Sequence, residues 1–356
     1  MSPPELTLVP TKTHWFDAWC RQATLQLVRR LPHGALQVSE NGRTVLTTGS
    51  PDEPLRAEIN VRDPAFYRKI LFNGTIGAGE SYVDGDWESP EVTQVVRLFV
   101  RNSEWLIQLD RRLAWLSWLR NTAWHGWRCN SRRQARRNIL AHYDLGDDLY
   151  QSFLDRELIY SSAIFPTPET SLEAAQQYKL HLLCEKLQLR ADDHLLEIGS
   201  GWGALAIYAA RHYGCRVTTT TLSAAQYAYA RQRIDALDLG DRITLLQQDY
   251  RELNGRYDKL IAVEMIEAVG RSYLPIFFSQ CSRLLKDDGL LALQAITVAD
   301  RFYGSYTRNV DFIQKHIFPG GFLPSLGGMF HHLQQRTDLV VRHVEDIGLD
   351  YAHTLK

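Results

Sequence analysis

His194-Leu195-Leu196-Glu197-Ile198-Gly199-Ser200-Gly201-Trp202-Gly203-Ala204 is the stretch whose reading decides the fold. An apolar run ends in an acid, turns through three glycines, and opens into a helical pattern from Ala204 to Tyr213. That is a strand, a tight turn and a helix. The glycines allow backbone conformations that a Cβ forbids and let a ligand approach the main chain closely. Outward from it, apolar runs recur at Arg216 to Thr220, Ile243 to Gln247, Lys259 to Val263 and Leu290 to Ile296. Helical patterns intervene, beginning at Ser223 for the second. Ser171 to Leu187 forms an amphipathic helix before the first strand, with Ser171 as its N-cap. Strands alternating with helices predict an α/β domain with a parallel sheet and a site at the carboxyl ends of the strands.

The turn alone does not name its ligand. Gly199-x-Gly201-x-x-Ala204 fits the loose dinucleotide pattern, which requires an acid about 20 residues on. That place reads Val217-Thr218-Thr219-Thr220-Thr221, with no acid. The spacing Glu197-x-Gly199-x-Gly201-x-Gly203 instead resembles the first motif of class I methyltransferases, which bind S-adenosylmethionine. That ligand needs a carboxylate or carbonyls for its ammonium, acceptors for its ribose, and an apolar slot with one acceptor for its adenine. Glu197 and the Gly199, Gly201 and Gly203 backbone stand at the amino-acid end, Thr221 and Gln226 on the ribose side. Asp249 can accept from the adenine amino group while Tyr250 packs on the ring.

The 356 residues allow two domains and a large core. A net charge of −1 gives the whole molecule no field that would draw a polyanion. Cys20, Cys129, Cys184, Cys215 and Cys281 form no CxxC pair and no metal spacing, so they read as reduced thiols and no metal is expected. No signal peptide and no apolar run of transmembrane length stands out. The expected location is therefore cytoplasmic.

Residues 1–100 read as a small α+β domain. Leu36-Gln37-Val38 and Thr44 to Thr47 flank Glu40-Asn41-Gly42, a hairpin signal, and Ala57 to Val61 alternates as a strand. Asp63 to Phe72 reads as a helix and Gly79 to Glu88 as a polar-aromatic loop, either packing Tyr82 and Trp87 into a core or serving a function. Residues 101–138 differ in kind. From Arg101 to Arg137 nine arginines face two acids, a charge of +7, and five of the nine tryptophans lie there. Indoles and guanidiniums together suit a lipid–water interface, so this linker is expected to bind an anionic membrane surface at the inner face. The alternative is a linker whose tryptophans pack on a neighbouring domain. Nucleic acid is not expected, because no recognition motif accompanies the charge.

From His142 onward the chain resembles the cyclopropane fatty acid synthase family. The motifs are His142-Tyr143-Asp144-Leu145-Gly146, Tyr160-Ser161, the glycine turn with Trp202, Thr221 to Gln226, Gln248 to Arg251, Glu264-Met265-Ile266-Glu267-Ala268-Val269-Gly270 and Ile317 to Ser325. Gly79 to Gly85 resembles the lipid-binding N-terminal domain of the phospholipid enzymes. The resemblance implies a Rossmann-like methyltransferase domain over 139–356, with S-adenosylmethionine as cofactor and unsaturated phospholipid acyl chains as substrate. Tyr160 and Ser161 join the cofactor contacts. The resemblance implies a cyclopropane fatty acid as product.

In that reaction methyl transfer leaves a cation on the acyl chain, which Tyr143, Tyr160, Phe312 and Tyr351 can face, and a base then removes a proton from the new methyl. The family's base is a bicarbonate held by Cys, Glu, His, an Ile backbone and Tyr. The matching positions are Ser162, Glu267, Gln294, Ile296 and Tyr351, so Cys and His are replaced. The expectation is bicarbonate held mainly by Glu267, Tyr351 and the Ile296 backbone. Glu264, three residues before Glu267 on an expected helix, is the alternative base. The resemblance also implies helices beyond Lys356, and a homodimer is left open. Other readings are a methyl- or methylene-branching enzyme, a small-amine N-methyltransferase, and an inactive lipid-binding truncation.

Overall fold

The computed structural model describes residues 15–50, 52–108, 147–308 and 310–356. They belong to two compact units, within Met1–His125 and Gly126–Lys356. Most of the basic, tryptophan-rich linker and the motif His142 to Gly146, with Tyr143, lie outside the described residues, as does Cys129. No helix among the described residues is long and apolar enough to cross a membrane.

In the first unit, β1 (Ala35–Glu40) and β2 (Arg43–Thr48) form the expected hairpin, turning at Asn41 (φ 48°) and Gly42 (φ 75°). β3 (Arg56–Val61) pairs parallel to β1, and β4 (Trp87–Glu88) antiparallel to β3. The sheet order is β2-β1-β3-β4. Leu36, Val38, Ile59, Phe66, Trp87 and Leu98 meet in one core. The expected helix from Asp63 to Phe72 runs instead over Ala65–Val83, crossing a break at Gly74 (φ 55°, ψ −131°). Much of the expected loop at Gly79 to Glu88 is therefore the end of this helix and a turn into β4. Trp87 is buried and donates its indole N–H to the Ala78 carbonyl at 3.0 Å, while Tyr82 is 44% exposed.

In the second unit, β5 (His194–Ile198), β6 (Arg216–Thr220), β7 (Ile243–Leu246), β8 (Tyr257–Val263) and β9 (Leu285–Gln294) form a five-stranded sheet ordered β7-β6-β5-β8-β9. All four pairings are parallel. β5 is buried on both faces, which its continuous apolar run requires. Leu195 packs with the helices Leu172–Lys186 and Ala204–Tyr213; Leu196 and Ile198 pack on the other face with Leu274–Leu284. The chain leaves β5 towards β6 and returns to its other side at β8. The crevice beyond β5 and β8 is thus the switch point where ligands of open α/β sheets bind.

Two local expectations fail. β9 begins at Leu285, five residues before the apolar run, because its exposed Lys286-Asp287-Asp288 stretch lies beside a register shift in the pairing with β8. Glu264 and Glu267 do not share a helix. Glu264 has φ 46° and directly follows β8, and the short 3₁₀ turn Ile266–Ala268 starts after it.

Candidate active site

A cavity of about 180 Å³ opens at the ends of β5, β6, β7 and β8. Glu197, Gly199, Gly201, Trp202, Thr221, Gln226, Asp249 and Tyr250 line it, and Tyr160 and Ser161 join them from the irregular segment 158–165. Gly203 does not. It caps the helix Ala204–Tyr213 at φ 90°, where an added Cβ would sit 3.1 Å from the Ala230 Cβ. Its glycine serves the close approach of two helices. At Gly199 (φ 100°) an added Cβ would stand 2.9 Å from the Met265 side chain, so the turn after β5 closes against the turn after β8.

On the cofactor wall, Thr219 donates to Glu197 Oε2 at 2.5 Å. Glu197 is buried, and that burial pushes its carboxyl up to about 8. Thr221 Oγ1 donates to Gln226 Oε1 at 2.9 Å. Asp249 accepts from the Arg251 backbone N–H and Nε, each at 2.9 Å, and from Nη2 at 2.6 Å. The Arg251 guanidinium also lies 5.7 Å from the Tyr250 ring centre and 5.0 Å from that of Tyr273. Among the described residues the Tyr250 hydroxyl is buried without a hydrogen-bond partner. Arg251 and Lys179 line the cavity but had no role in the sequence reading.

The opposite wall belongs to Glu264. Its Oε1 accepts from the Ser162 backbone N–H at 2.9 Å and from Gln294 Nε2 at 3.0 Å. Gln294 Nε2 also donates to the Ser162 carbonyl at 3.0 Å, and Ser162 Oγ to the Ala163 carbonyl at 3.0 Å. Ile296 donates its N–H to Glu267 Oε1 at 2.5 Å. Glu267 Oε2 is buried with no partner among the described residues, and burial pushes that carboxyl up to about 8. Burial, then the charges of Glu264, Tyr160 and Glu267, push the Tyr351 phenol up. The Ile317 to Ser325 motif folds onto this turn: Phe322 donates its N–H to the Glu267 carbonyl at 2.8 Å, and Ser325 caps the helix Leu326–Arg336. Phe318 stacks on Tyr160 at 6.5 Å. Residues 162–165 are held further by the last helix, Gly348–Thr354. Ala163 N–H meets Thr354 Oγ1 at 2.9 Å and Phe165 N–H meets Asp350 Oδ1 at 2.8 Å.

These residues fit S-adenosylmethionine. Glu197 suits an ammonium, Thr221 and Gln226 suit hydroxyls, and Asp249 suits an adenine, together with the Tyr250 hydroxyl, which has no hydrogen-bond partner among the described residues. Of the five groups expected to hold bicarbonate, three already have protein partners, while Glu267 Oε2 has none among the described residues. The Ser162 hydroxyl, the Gln294 amide and the Ile296 N–H all point at protein acceptors.

A parallel sheet of this order, with a glycine turn and acid at its switch point, defines a class I methyltransferase. Residues 130–356 match the family model described as mycolic acid cyclopropane synthetase, and the chain belongs to that family of S-adenosylmethionine-dependent lipid methyltransferases. It is 39% identical over 316 residues to the tuberculostearic acid methyltransferase UfaA1 of Mycobacterium tuberculosis, covering 87% of this chain and 73% of that one. It is 36% identical over 306 residues to the cyclopropane-fatty-acyl-phospholipid synthase of Escherichia coli strain K12, covering 84% and 75%. Among solved structures it resembles mycolic acid cyclopropane synthase CmaA1 complexed with SAH and CTAB, at 30% identity and TM-score 0.58, covering 62% of this chain and 80% of that one. The cyclopropane synthase MmaA2 from Mycobacterium tuberculosis is similar at 28% identity and TM-score 0.57, with the same coverage.

Proposed function

We propose that this enzyme adds a one-carbon bridge to the cis double bond of unsaturated phospholipid acyl chains, giving cyclopropane fatty acids. The observation that carries the reading is the Glu264 carboxylate, which lines the cofactor cavity and is fixed by two N–H donors. The 36% identity to the Escherichia coli synthase supports the acyl substrate. When bound, S-adenosylmethionine supplies an electrophilic sulfonium methyl. Glu197 holds its ammonium, Thr221 and Gln226 its ribose, and Asp249 and Tyr250 its adenine. Tyr160 and Tyr351 present aromatic faces to the cation formed on the acyl chain. Glu264 takes a proton from the new methyl as the ring closes, and Glu267, whose carboxyl burial pushes up to about 8, accepts from the Ile296 N–H. Bicarbonate has no step here.

A second reading is favoured by Ser162 and Gln294 in place of Cys and His, and by the 39% relative named as a tuberculostearic acid methyltransferase. If a hydride first shifts from the methylated carbon to the neighbouring cation, the base's removal of a proton from the new methyl gives a methylene branch instead of a ring; removal of a proton from the chain gives a methyl-branched alkene. Expression in a host lacking its own synthase, with mass spectrometry of the fatty acids, decides. A cyclopropane acid supports the first reading, a branched acid the second, and an unchanged fatty acid profile overturns both.

Residues 101–138 are proposed to bring the enzyme to anionic membranes. Attraction amounts to about 1 kcal/mol per basic residue near the surface and weakens with salt. Co-sedimentation with anionic vesicles then falls at high salt, and further with Trp115→Ala and Trp118→Ala. Equal sedimentation with neutral vesicles contradicts this.

A further inference from the structure

Lys179 lies in the middle of the helix Leu172–Lys186, yet it is fully buried and lines the cofactor cavity. Ala175, Lys179 and Leu183 follow one another at four-residue spacing on the inward face of that helix. Lys179 Nζ donates to Ser161 Oγ at 2.6 Å, one turn from Gln176, whose amide donates to the Ser161 carbonyl at 2.9 Å. An ammonium carries three N–H donors, and this one reaches a single neutral acceptor among the described residues. A buried cation in that state is costly unless an anion joins it.

The nearby acids do not meet that need. Asp155 and Glu264 act on Lys179 electrostatically, but neither forms an ion pair with it within 4.0 Å. Asp155 accepts from the Ile159 and Glu157 N–H groups, and Glu264 from Ser162 and Gln294. Burial lowers the Lys179 ammonium to about 7, so it takes up the charged form readily when an anion arrives. The other cation on the cavity wall, Arg251, is bound by both oxygens of Asp249. The methionyl end of the cofactor carries both an ammonium and a carboxylate. Glu197 suits the first, and the second calls for a cation.

We infer that Lys179 is the cation that reads the α-carboxylate of the cofactor, through its own ammonium and through the Ser161 hydroxyl it orients. Ser161 accepts from Lys179, so its own proton is available for the same carboxylate. The inference rests on the placement of the methionyl end at Glu197 proposed above. It also gives the enzyme a means of rejecting decarboxylated S-adenosylmethionine and its product.

The test is calorimetric titration with S-adenosylhomocysteine and with its decarboxylated counterpart, which keeps the amino group. The wild type is expected to prefer S-adenosylhomocysteine by about ten- to a hundred-fold, the range for a hydrogen bond to a charged group. Lys179→Met should abolish that preference while leaving the decarboxylated ligand's affinity unchanged, which a merely structural role would not do. Should Lys179→Met fail to fold, Ser161→Ala, which removes only one oxygen, is expected to narrow the preference. Equal binding of the two ligands by the wild type, or an intact preference in these variants, overturns the inference. Glu197→Gln should weaken both ligands alike. If it weakens neither, the cofactor placement itself is wrong, whatever Lys179 does.

Discussion

The two walls of the active site are made in opposite ways. The glycine turn and the polar pairs of the cofactor wall are local: Gly199 to Gly203 follow β5 directly, Thr221 meets Gln226 five residues on, and Asp249 is gripped by Arg251 two residues away. The acceptor wall is assembled across the chain. Ser162 meets Glu264 over 102 residues, Gln294 meets Ser162 over 132, and Ala163 meets Thr354 over 191. The first wall rests on glycines at positive φ. The second carries a glutamate at φ 46°, a conformation that is uncommon for any side chain but glycine, Asn or Asp. Unfavourable backbone is kept where surrounding contacts over-determine it, commonly at functional sites. A local motif can meet the cofactor, whereas the acceptor wall depends on contacts between segments far apart in the chain.

That contrast is broken or sharpened by substitutions that touch one wall at a time. The largest effect is expected from Glu264→Gln: turnover falls by about 10²- to 10⁴-fold, the usual contribution of a general base, with cofactor affinity retained. Loss of affinity with unchanged turnover would reverse the roles of the walls. Next, Glu197→Ala and Asp249→Ala should each weaken S-adenosylhomocysteine by about ten- to a hundred-fold in calorimetry. Unchanged affinity in both would remove them from the cofactor wall.

A pH effect follows from both walls. Glu197 and Glu267 are each raised to about 8 by burial, against an ordinary value near 4.5. Between those values the folded protein binds more protons than the unfolded chain, so stability falls as pH rises. The melting temperature of the free protein should therefore drop between about pH 5 and pH 8, and S-adenosylhomocysteine should recover more of it at the higher pH by pairing Glu197. A flat profile contradicts the burial of these acids. The smallest effect is expected from Gly199→Ala, which combines a positive φ with a Cβ 2.9 Å from Met265. It should cost about 1–3 kcal/mol in denaturant unfolding. No loss would mean the two turns do not close on each other.

The same contrast governs what could be read in advance. β6, the helix Ala204–Tyr213 and the Ser171 cap fall where the sequence places them, because period, cap and glycine are local signals. The apolar run marks only the later part of β9, because Lys286-Asp287-Asp288 breaks it while the backbone is already extended. The glycines and acids around Gly79 read as a loop, although the helix continues to Val83 and Trp87 packs in the same core as Phe66 and Tyr67. Arg251 sat inside a quoted motif, but its grip on Asp249 depends on side-chain geometry that spacing does not fix. Lys179 did leave a signal, its four-residue spacing from Ala175 and Leu183, which a reading of lysine as a solvated charge overrides. The engagement of Ser162 and Gln294 by Glu264 left none, since nothing local joins residues so far apart.

With Glu264 as the base, turnover needs no bicarbonate. The most direct measurement is turnover of the wild type on unsaturated phospholipid vesicles in degassed, bicarbonate-free buffer, followed by titration with bicarbonate. The same rate is expected throughout, with Glu264→Gln inactive at every bicarbonate concentration. A rate that collapses on degassing and returns with bicarbonate, with Glu264→Gln still active and Glu267→Gln inactive, would contradict it.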